Sequence, residues 1–197
     1  MGLPREIGVG LLGFGTIGTG VVSALAANGS LIEQRSRLRL VLRKISDLDI
    51  ERDRGVKVDR SMLTRDAVSV IKDDSVDVVV ELIGGVTAAR TLVCEALKLG
   101  KPVVTANKAL LAEHGEEIFR LAEQHKTNVF FEASVGGGIP VIAPFKQSLV
   151  VNRIQSIKAV INGTTNYILT KMAEEDWTFD AALKQAQALG FAEANPE

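Results

Sequence analysis

Apolar residues along this chain fall into short runs separated by stretches with helical spacing. The run "IGVGLL" (Ile7–Leu12) is closed by glycine, and a helix is predicted to follow it over about Thr16–Ala27. "LRLVLRKI" (Leu38–Ile45) reads as a second strand, and "VDVVVELI" (Val76–Ile83) as a third that is almost wholly apolar. A strand buried on both faces needs that composition. A helix near Ala88–Leu99, the run "PVVT" (Pro102–Thr105), a helix near Lys108–His125 and the run "NVFFEA" (Asn128–Ala133) continue the alternation. Strands alternating with helices of this length predict an α/β fold, a Rossmann-type doubly wound parallel sheet with helices on both faces.

The rhythm changes after "SVGGGIP" (Ser134–Pro140). A helical segment "VIAPFKQSLV" leads to a strand candidate, "IQSIKAVI" (Ile154–Ile161). Two further helices are expected, one capped by Thr164 or Thr165 and the other by Thr178 or Asp180. The expected division is a dinucleotide-binding domain over residues 1–138 and an incomplete α+β substrate domain over 139–197. The second part is expected to be too short for an independent domain with its own core.

Composition narrows the field. Hydrophobic residues make up 46% of the 197, enough for a sizeable core, and the formal net charge is −1 with both signs mixed along the chain. That balance offers no electrostatic footprint for nucleic acid or an anionic membrane, so small-molecule chemistry is the expectation. The single cysteine, Cys94, excludes an internal disulfide and any cysteine-rich metal site. Its place in "TLVCEALKL" predicts a buried structural thiol. The start "MGLPREIGVG" carries neither a secretory signal nor a myristoylation signal, and no apolar run approaches the ~20 residues needed to span a bilayer. A soluble cytoplasmic protein is expected.

The first chemical signal is Gly13-Phe14-Gly15-Thr16-Ile17-Gly18, a G-x-G-x-x-G between a strand and a helix. Gly13 permits the turn, Gly15 lets a pyrophosphate approach the backbone, and Gly18 lets the helix lie close on the strand. Exposed N–H groups and the helix dipole then favour phosphate charge. Glycines also serve ordinary turns, and it is the strand-to-helix context that points to a dinucleotide. An acid ending the second strand would hold an NAD ribose. Here "LRKISDLD" places Arg43 and Lys44 first, able to hold an NADP 2′-phosphate, and Asp47 after them, able to serve NAD. As solvated charges near a strand end the two bases would do neither. NADP is slightly favoured.

Ligands of open α/β sheets bind beyond the carboxyl ends of the strands. Those ends carry "ELIGG" (Glu81–Gly85), "TANK" (Thr105–Lys108) and "FEASVGGGIP" (Phe131–Pro140). Lys108 opens a helix, where a cation opposes the dipole, so a chemical use for it is expected over simple solvation.

At these residues the chain resembles the homoserine dehydrogenase family. The resemblance is carried in order by "GLLGFGTIGTGVV", "VVVELIGG", "VVTANKALLAEHG", "FFEASVGGGIP", "NGTTNYILTKM" and "ALGFAEANP", which span essentially the whole chain. Gly136 stands where many members carry Ala in "ASVAGGIP", a conservative departure for a tight turn. The resemblance implies NAD(P)-dependent interconversion of L-aspartate 4-semialdehyde and L-homoserine, in threonine and methionine biosynthesis. It implies a cofactor lying on Phe14, Gly15, Thr16, Ile17 and Gly18, with Thr105 and Lys108 near the nicotinamide and Gly190 close by. It implies Glu193 as the ligand of the substrate ammonium, and a sodium ion on a loop using Glu132, Val135, Gly137 and Ile139. A homodimer is implied for the full-length protein.

Hydride transfer to an aldehyde builds negative charge on the carbonyl oxygen, which a lysine such as Lys108 can stabilise and protonate. In the family, "GFAE" is followed by a segment carrying an aspartate that assists substrate binding and the usual proton-donor lysine. Neither lies in these residues, so a truncated, poorly active form of the enzyme is expected. A non-catalytic dinucleotide-binding module is the alternative. An aldehyde-acylating dehydrogenase is a weaker one, because its nucleophile would have to be Cys94.

Overall fold

The computed structural model describes residues 4–160 and 162–192. The chain divides into two compact units, Met1–Gly137 and Gly138–Glu197. In the first, β1 (Arg5–Leu12), β2 (Leu38–Ser46), β3 (Leu63–Thr64), β4 (Val78–Glu81), β5 (Val103–Thr105) and β6 (Val129–Phe130) form one sheet. Its strand order is β3-β2-β1-β4-β5-β6, and every pairing is parallel. Strand order reverses between β1 and β4, so a crevice opens beyond the carboxyl ends of these two strands.

Helices α1 (Thr16–Ser36), α2 (Ala67–Ile71), α3 (Thr87–Lys98) and α4 (Lys108–Gln124) cover the sheet. Consecutive strand residues face opposite layers. Leu11 joins Phe14, Val22 and Ile45 in one core, while Leu12 joins Val70, Val79, Val93, Leu97 and Leu110 in the other. Both leucines are completely buried, as a central strand covered on two sides requires.

Helix α1 runs past the expected end at Ala27 to Ser36, closed by Arg37 at φ 59°. Gly29 lies within it on open surface, where glycine costs about 1 kcal/mol and does not stop a helix. The short α2 was not anticipated, although Asp66 marks it: its carboxylate accepts the N–H groups of Val68 and Ser69.

In the second unit, α5 (Gly163–Glu175) and α6 (Phe179–Ala188) pack through Ile168, Ala182 and Ala186. Asn162 caps α5 by accepting the Thr165 N–H at 2.9 Å, and Thr178 caps α6 by accepting the Ala181 N–H at 3.3 Å. A π-helical turn spans Pro144–Ser148. The strand expected over Ile154–Ile161 is not formed at the described residues 154–160, which are exposed. A strand exists only where a neighbour completes its ladder, and none of the described strands does so here. No helix among the described residues is long and apolar enough to cross a membrane.

Candidate functional site

The turn between β1 and α1 lies at the strand-order reversal. Its three glycines meet three different constraints. Gly13 has φ 95°, and a methyl there would stand 2.5 Å from the Leu82 carbonyl oxygen. A methyl on Gly18 would stand 2.2 Å from the Gly13 carbonyl oxygen, so the helix lies directly on the turn. Gly15 is the N-cap of α1, with ordinary φ −73°, and a methyl there would meet nothing within 4 Å. The chain itself therefore requires glycine at 13 and 18. At 15 glycine leaves clear space in front of the N-terminus of a 21-residue helix, whose N-cap makes no side-chain hydrogen bond and whose first turn contains no acidic residue. The N–H groups of that turn and the helix dipole suit a phosphate. Phe14 is buried against the core, Thr16 and Ile17 are exposed on the first turn, and the residues present fit a dinucleotide pyrophosphate.

Arg43 and Lys44 do not reach this edge of the sheet. A register shift between Val9 and Gly10 pairs Val9 with Leu42 and Gly10 with Lys44, so Arg43 is passed over in the ladder. Such a bulge re-aims side chains. Arg43 pairs with Glu6, near the amino end of β1. The Lys44 ammonium lies 3.4 Å from Asp73, in the turn before β4. Both expected 2′-phosphate ligands thus turn toward the amino edge, away from the crevice. Asp47, the first residue past β2, accepts the Phe14 N–H at 2.7 Å.

The carboxyl ends of β4 and β5 are tied by a buried network. Glu81 is completely buried and Thr105 nearly so. The Thr105 hydroxyl donates to Glu81 Oε2 at 2.6 Å and accepts the Asn107 N–H at 3.0 Å, while Glu81 Oε1 accepts the Ile83 N–H at 2.9 Å. Asn107 Oδ1 caps α4 through the Leu110 N–H at 3.1 Å, and Nδ2 donates to the Gly85 carbonyl at 2.6 Å. Thr105 is therefore directed inward as a strut. Lys108, the first residue of α4, is exposed and its ammonium has no hydrogen-bond or ion-pair partner among the described residues. The network ties the loop after β4 to the start of α4, where Lys108 is the next residue after Asn107.

Of the residues expected around an ion, Glu132, Val135 and Gly137 close the first unit and Ile139 belongs to the second. Glu132 opens a 3₁₀ turn (Glu132–Ser134), and its carbonyl accepts the Val135 N–H at 3.4 Å. Gly136 and Gly138 both take positive φ, at 59° and 83°, which swings successive carbonyls to different sides. Among the described residues no three His, Cys, Asp or Glu side chains gather to hold a metal.

In the second unit, Gly163, Thr164, Asn166, Tyr167, Thr170 and Phe191 line an open hollow of about 510 Å³. Gly190, at φ 75°, ends α6 and turns Phe191 back so that its ring meets Tyr167 edge-on at 5.3 Å. The Thr164 hydroxyl donates to the Phe191 carbonyl. Glu193 lies outside the described residues.

Two residues escaped the sequence reading. In the sequence Glu81 stands out only as part of a strand end. Arg54 belongs to none of the sequence motifs, yet its guanidinium donates to the Phe14 carbonyl and to Asp47. A lone arginine in a polar loop carries no local signal of such a contact.

The family description "Homoserine dehydrogenase, NAD binding domain" matches residues 13–132, and "Homoserine dehydrogenase" matches residues 140–197. A homoserine dehydrogenase of Synechocystis is 45% identical over 190 residues, covering 95% of this chain and 43% of that protein. One from Bacillus subtilis is 41% identical, covering 98% of this chain and 44% of its own length. The crystal structure of a homoserine dehydrogenase from Thiobacillus denitrificans superposes with a TM-score of 0.89 at 41% identity, over 98% of this chain and 44% of that one. A hyperthermophilic archaeal homoserine dehydrogenase in complex with NADPH superposes with a TM-score of 0.80 at 26% identity, covering 98% and 64% respectively. The chain thus spans less than half the length of the curated relatives named here.

Proposed function

The chain belongs to the homoserine dehydrogenase family, and we propose from this that it takes part in the NAD(P)-dependent interconversion of L-aspartate 4-semialdehyde and L-homoserine. The observation that carries the proposal is the glycine turn. Gly13 and Gly18 are fixed by their own chain, whereas nothing in the chain requires glycine at 15, where it keeps the approach to the first turn of α1 clear for a pyrophosphate. The nicotinamide cofactor, when bound, supplies or accepts the hydride. The chain's own residues do the rest. The first turn of α1 binds the pyrophosphate through its N–H groups. The Glu81–Thr105–Asn107 network holds the loops bearing Lys108. Lys108 offers its ammonium to a carbonyl oxygen on which charge develops. Glu193 would take the substrate ammonium and so align the aldehyde.

Other parts of the proposal rest on more general support. A sodium ion on Glu132, Val135, Gly137 and Ile139 is part of the same reading, supported by membership of the family alone. Exposed Ile154, Ile157 and Val160 support a face covered by a second subunit in a homodimer. A cytoplasmic location accords with metabolite chemistry.

Fluorescence titration of the chain with NADH and NADPH tests the core of this reading. Binding is expected for wild type, and Gly15→Val should abolish it while leaving the circular dichroism spectrum unchanged. Undiminished binding by that variant would overturn the assignment of the turn.

A further inference from the structure

The acid after β2 and an arginine in the following loop together grip the residue between the first two glycines of the turn. Asp47 stands where an acid ordinarily takes the adenosine ribose hydroxyls. Here its Oδ2 accepts the Phe14 N–H at 2.7 Å, and Oδ1 accepts the Asp49 N–H at 2.9 Å and Arg54 Nη2 at 3.1 Å. Arg54 completes the grip from the other side. Its Nε donates to the Phe14 carbonyl, Nη2 to the Asp49 carbonyl at 2.6 Å and Nη1 to the Arg52 carbonyl at 2.9 Å. The guanidinium carbon lies 4.7 Å from the centre of the Phe14 ring. Phe14 is thus held by its N–H, its carbonyl and its ring. The two side chains are only 8% and 19% exposed for Arg54 and Asp47, so solvent screens the pair poorly.

Two consequences bear on the cofactor. The carboxylate is engaged by three donors, one of them the Phe14 N–H of the turn, leaving it little capacity to receive a ribose diol. Its charge is also cancelled by a partner in direct contact. A bare carboxylate at this position would repel a 2′-phosphate, whereas a neutral pair does not. The strand bases that would otherwise attract that phosphate, Arg43 and Lys44, are paired toward the amino edge.

We propose that Arg54 determines which dinucleotide the turn accepts, by neutralising Asp47 beside the ribose position and so admitting a 2′-phosphate. This rests on the reading of the turn as a dinucleotide site. Arg54 acts through Asp47 and Phe14 and is a positioning residue.

The test compares dissociation constants of the chain for NADPH and NADH by fluorescence titration. Arg54→Met keeps a long side chain over Phe14 but removes the charge. It should weaken NADPH about tenfold more than NADH, the size expected of one uncompensated charge facing a phosphate several ångströms away in a partly wet site. Asp47→Asn keeps an oxygen for the Phe14 N–H and leaves Arg54 unbalanced, so it should move the ratio the opposite way, toward NADPH. A purely structural grip would weaken both cofactors by one factor in each variant, because the pyrophosphate is common to both. An unchanged ratio in both variants therefore overturns the proposal. If circular dichroism shows Arg54→Met unfolded, the sign of the Asp47→Asn shift decides alone. Wild-type chain that binds neither dinucleotide would instead overturn the functional reading beneath it.

Discussion

The α-carbon of Gly18 faces the carbonyl of Gly13 so closely that a methyl group on it would lie 2.2 Å from that oxygen. Neither partner can yield, because both belong to backbone at the junction of β1 and α1. Gly18→Ala should therefore cost about 1–3 kcal/mol by forcing the helix off the turn. Gly15→Ala meets no atom of the chain and should leave stability within about 0.5 kcal/mol. The prediction is a crossed pattern. Urea denaturation should separate Gly18→Ala from wild type, and dinucleotide titration should separate Gly15→Ala from it. Equal stability losses in the two variants would contradict the division of roles.

Glu81 and Thr105 form the next testable pair. The carboxylate is fully buried with no cation partner among the described residues, and the Thr105 hydroxyl serves one of its oxygens at 2.6 Å. Thr105→Val matches the shape but removes that donor, and it also removes the acceptor of the Asn107 N–H. Leaving a buried polar group unmatched costs about 1–3 kcal/mol, more where the group is charged. A fall of that size in unfolding free energy is expected from urea melts. Thr105→Ser keeps the hydroxyl and should recover most of it. A Thr105→Val chain as stable as wild type would show that the network does not hold the loops.

The legibility of this fold followed the range of the forces involved. The β1 turn and α1 were readable because an apolar run, three spaced glycines and a helix sit within one stretch of chain. The parallel order of the central strands followed from uninterrupted apolar runs such as Val78–Val80, flanked by helices. Arg43 and Lys44 were misplaced because their direction depends on a register shift against β1, and their partners lie 37 and 29 residues away. The identity of the bases was plain, but the direction they faced was not. Arg54 was silent for the same reason, since its contact with Phe14 closes 40 residues of chain. Residues 154–160 show the converse failure, in which an apolar pattern fit for a strand forms none without a ladder partner among the described residues.

Cys94 bears on the acylating alternative. Burial in α3 against Val93 and Leu97 pushes its thiol above the usual range, and the nearby Glu117 carboxylate adds to the shift. A nucleophile needs the thiolate, which this environment disfavours. In the native chain at pH 8, iodoacetamide should label Cys94 far more slowly than it labels the urea-unfolded chain. Addition of L-aspartate 4-semialdehyde should not change that rate. Fast labelling that the aldehyde suppresses would revive a covalent mechanism.

Acid stability offers a separate measurement, through the fork between α3 and α4. Arg90 Nε and Nη2 donate to the two oxygens of Glu117 at 2.7 and 2.9 Å. The hydrogen bonds from Arg90 hold the Glu117 carboxyl below its ordinary value of about 4.5. Above that value the group is ionised whether the chain is folded or not, and the contribution is fully present. As pH falls below it, the unfolded chain takes up the proton first, so ν_U exceeds ν_N and stability declines until the folded carboxyl also titrates. Glu117→Gln cannot titrate and should lack this part of the decline. Urea midpoints between about pH 5.5 and pH 3 should therefore fall less steeply for the variant than for wild type. The difference in slope should shrink in 1 M salt, because the pair is partly exposed and screened. Parallel slopes at low salt would show that the fork contributes nothing to the acid response.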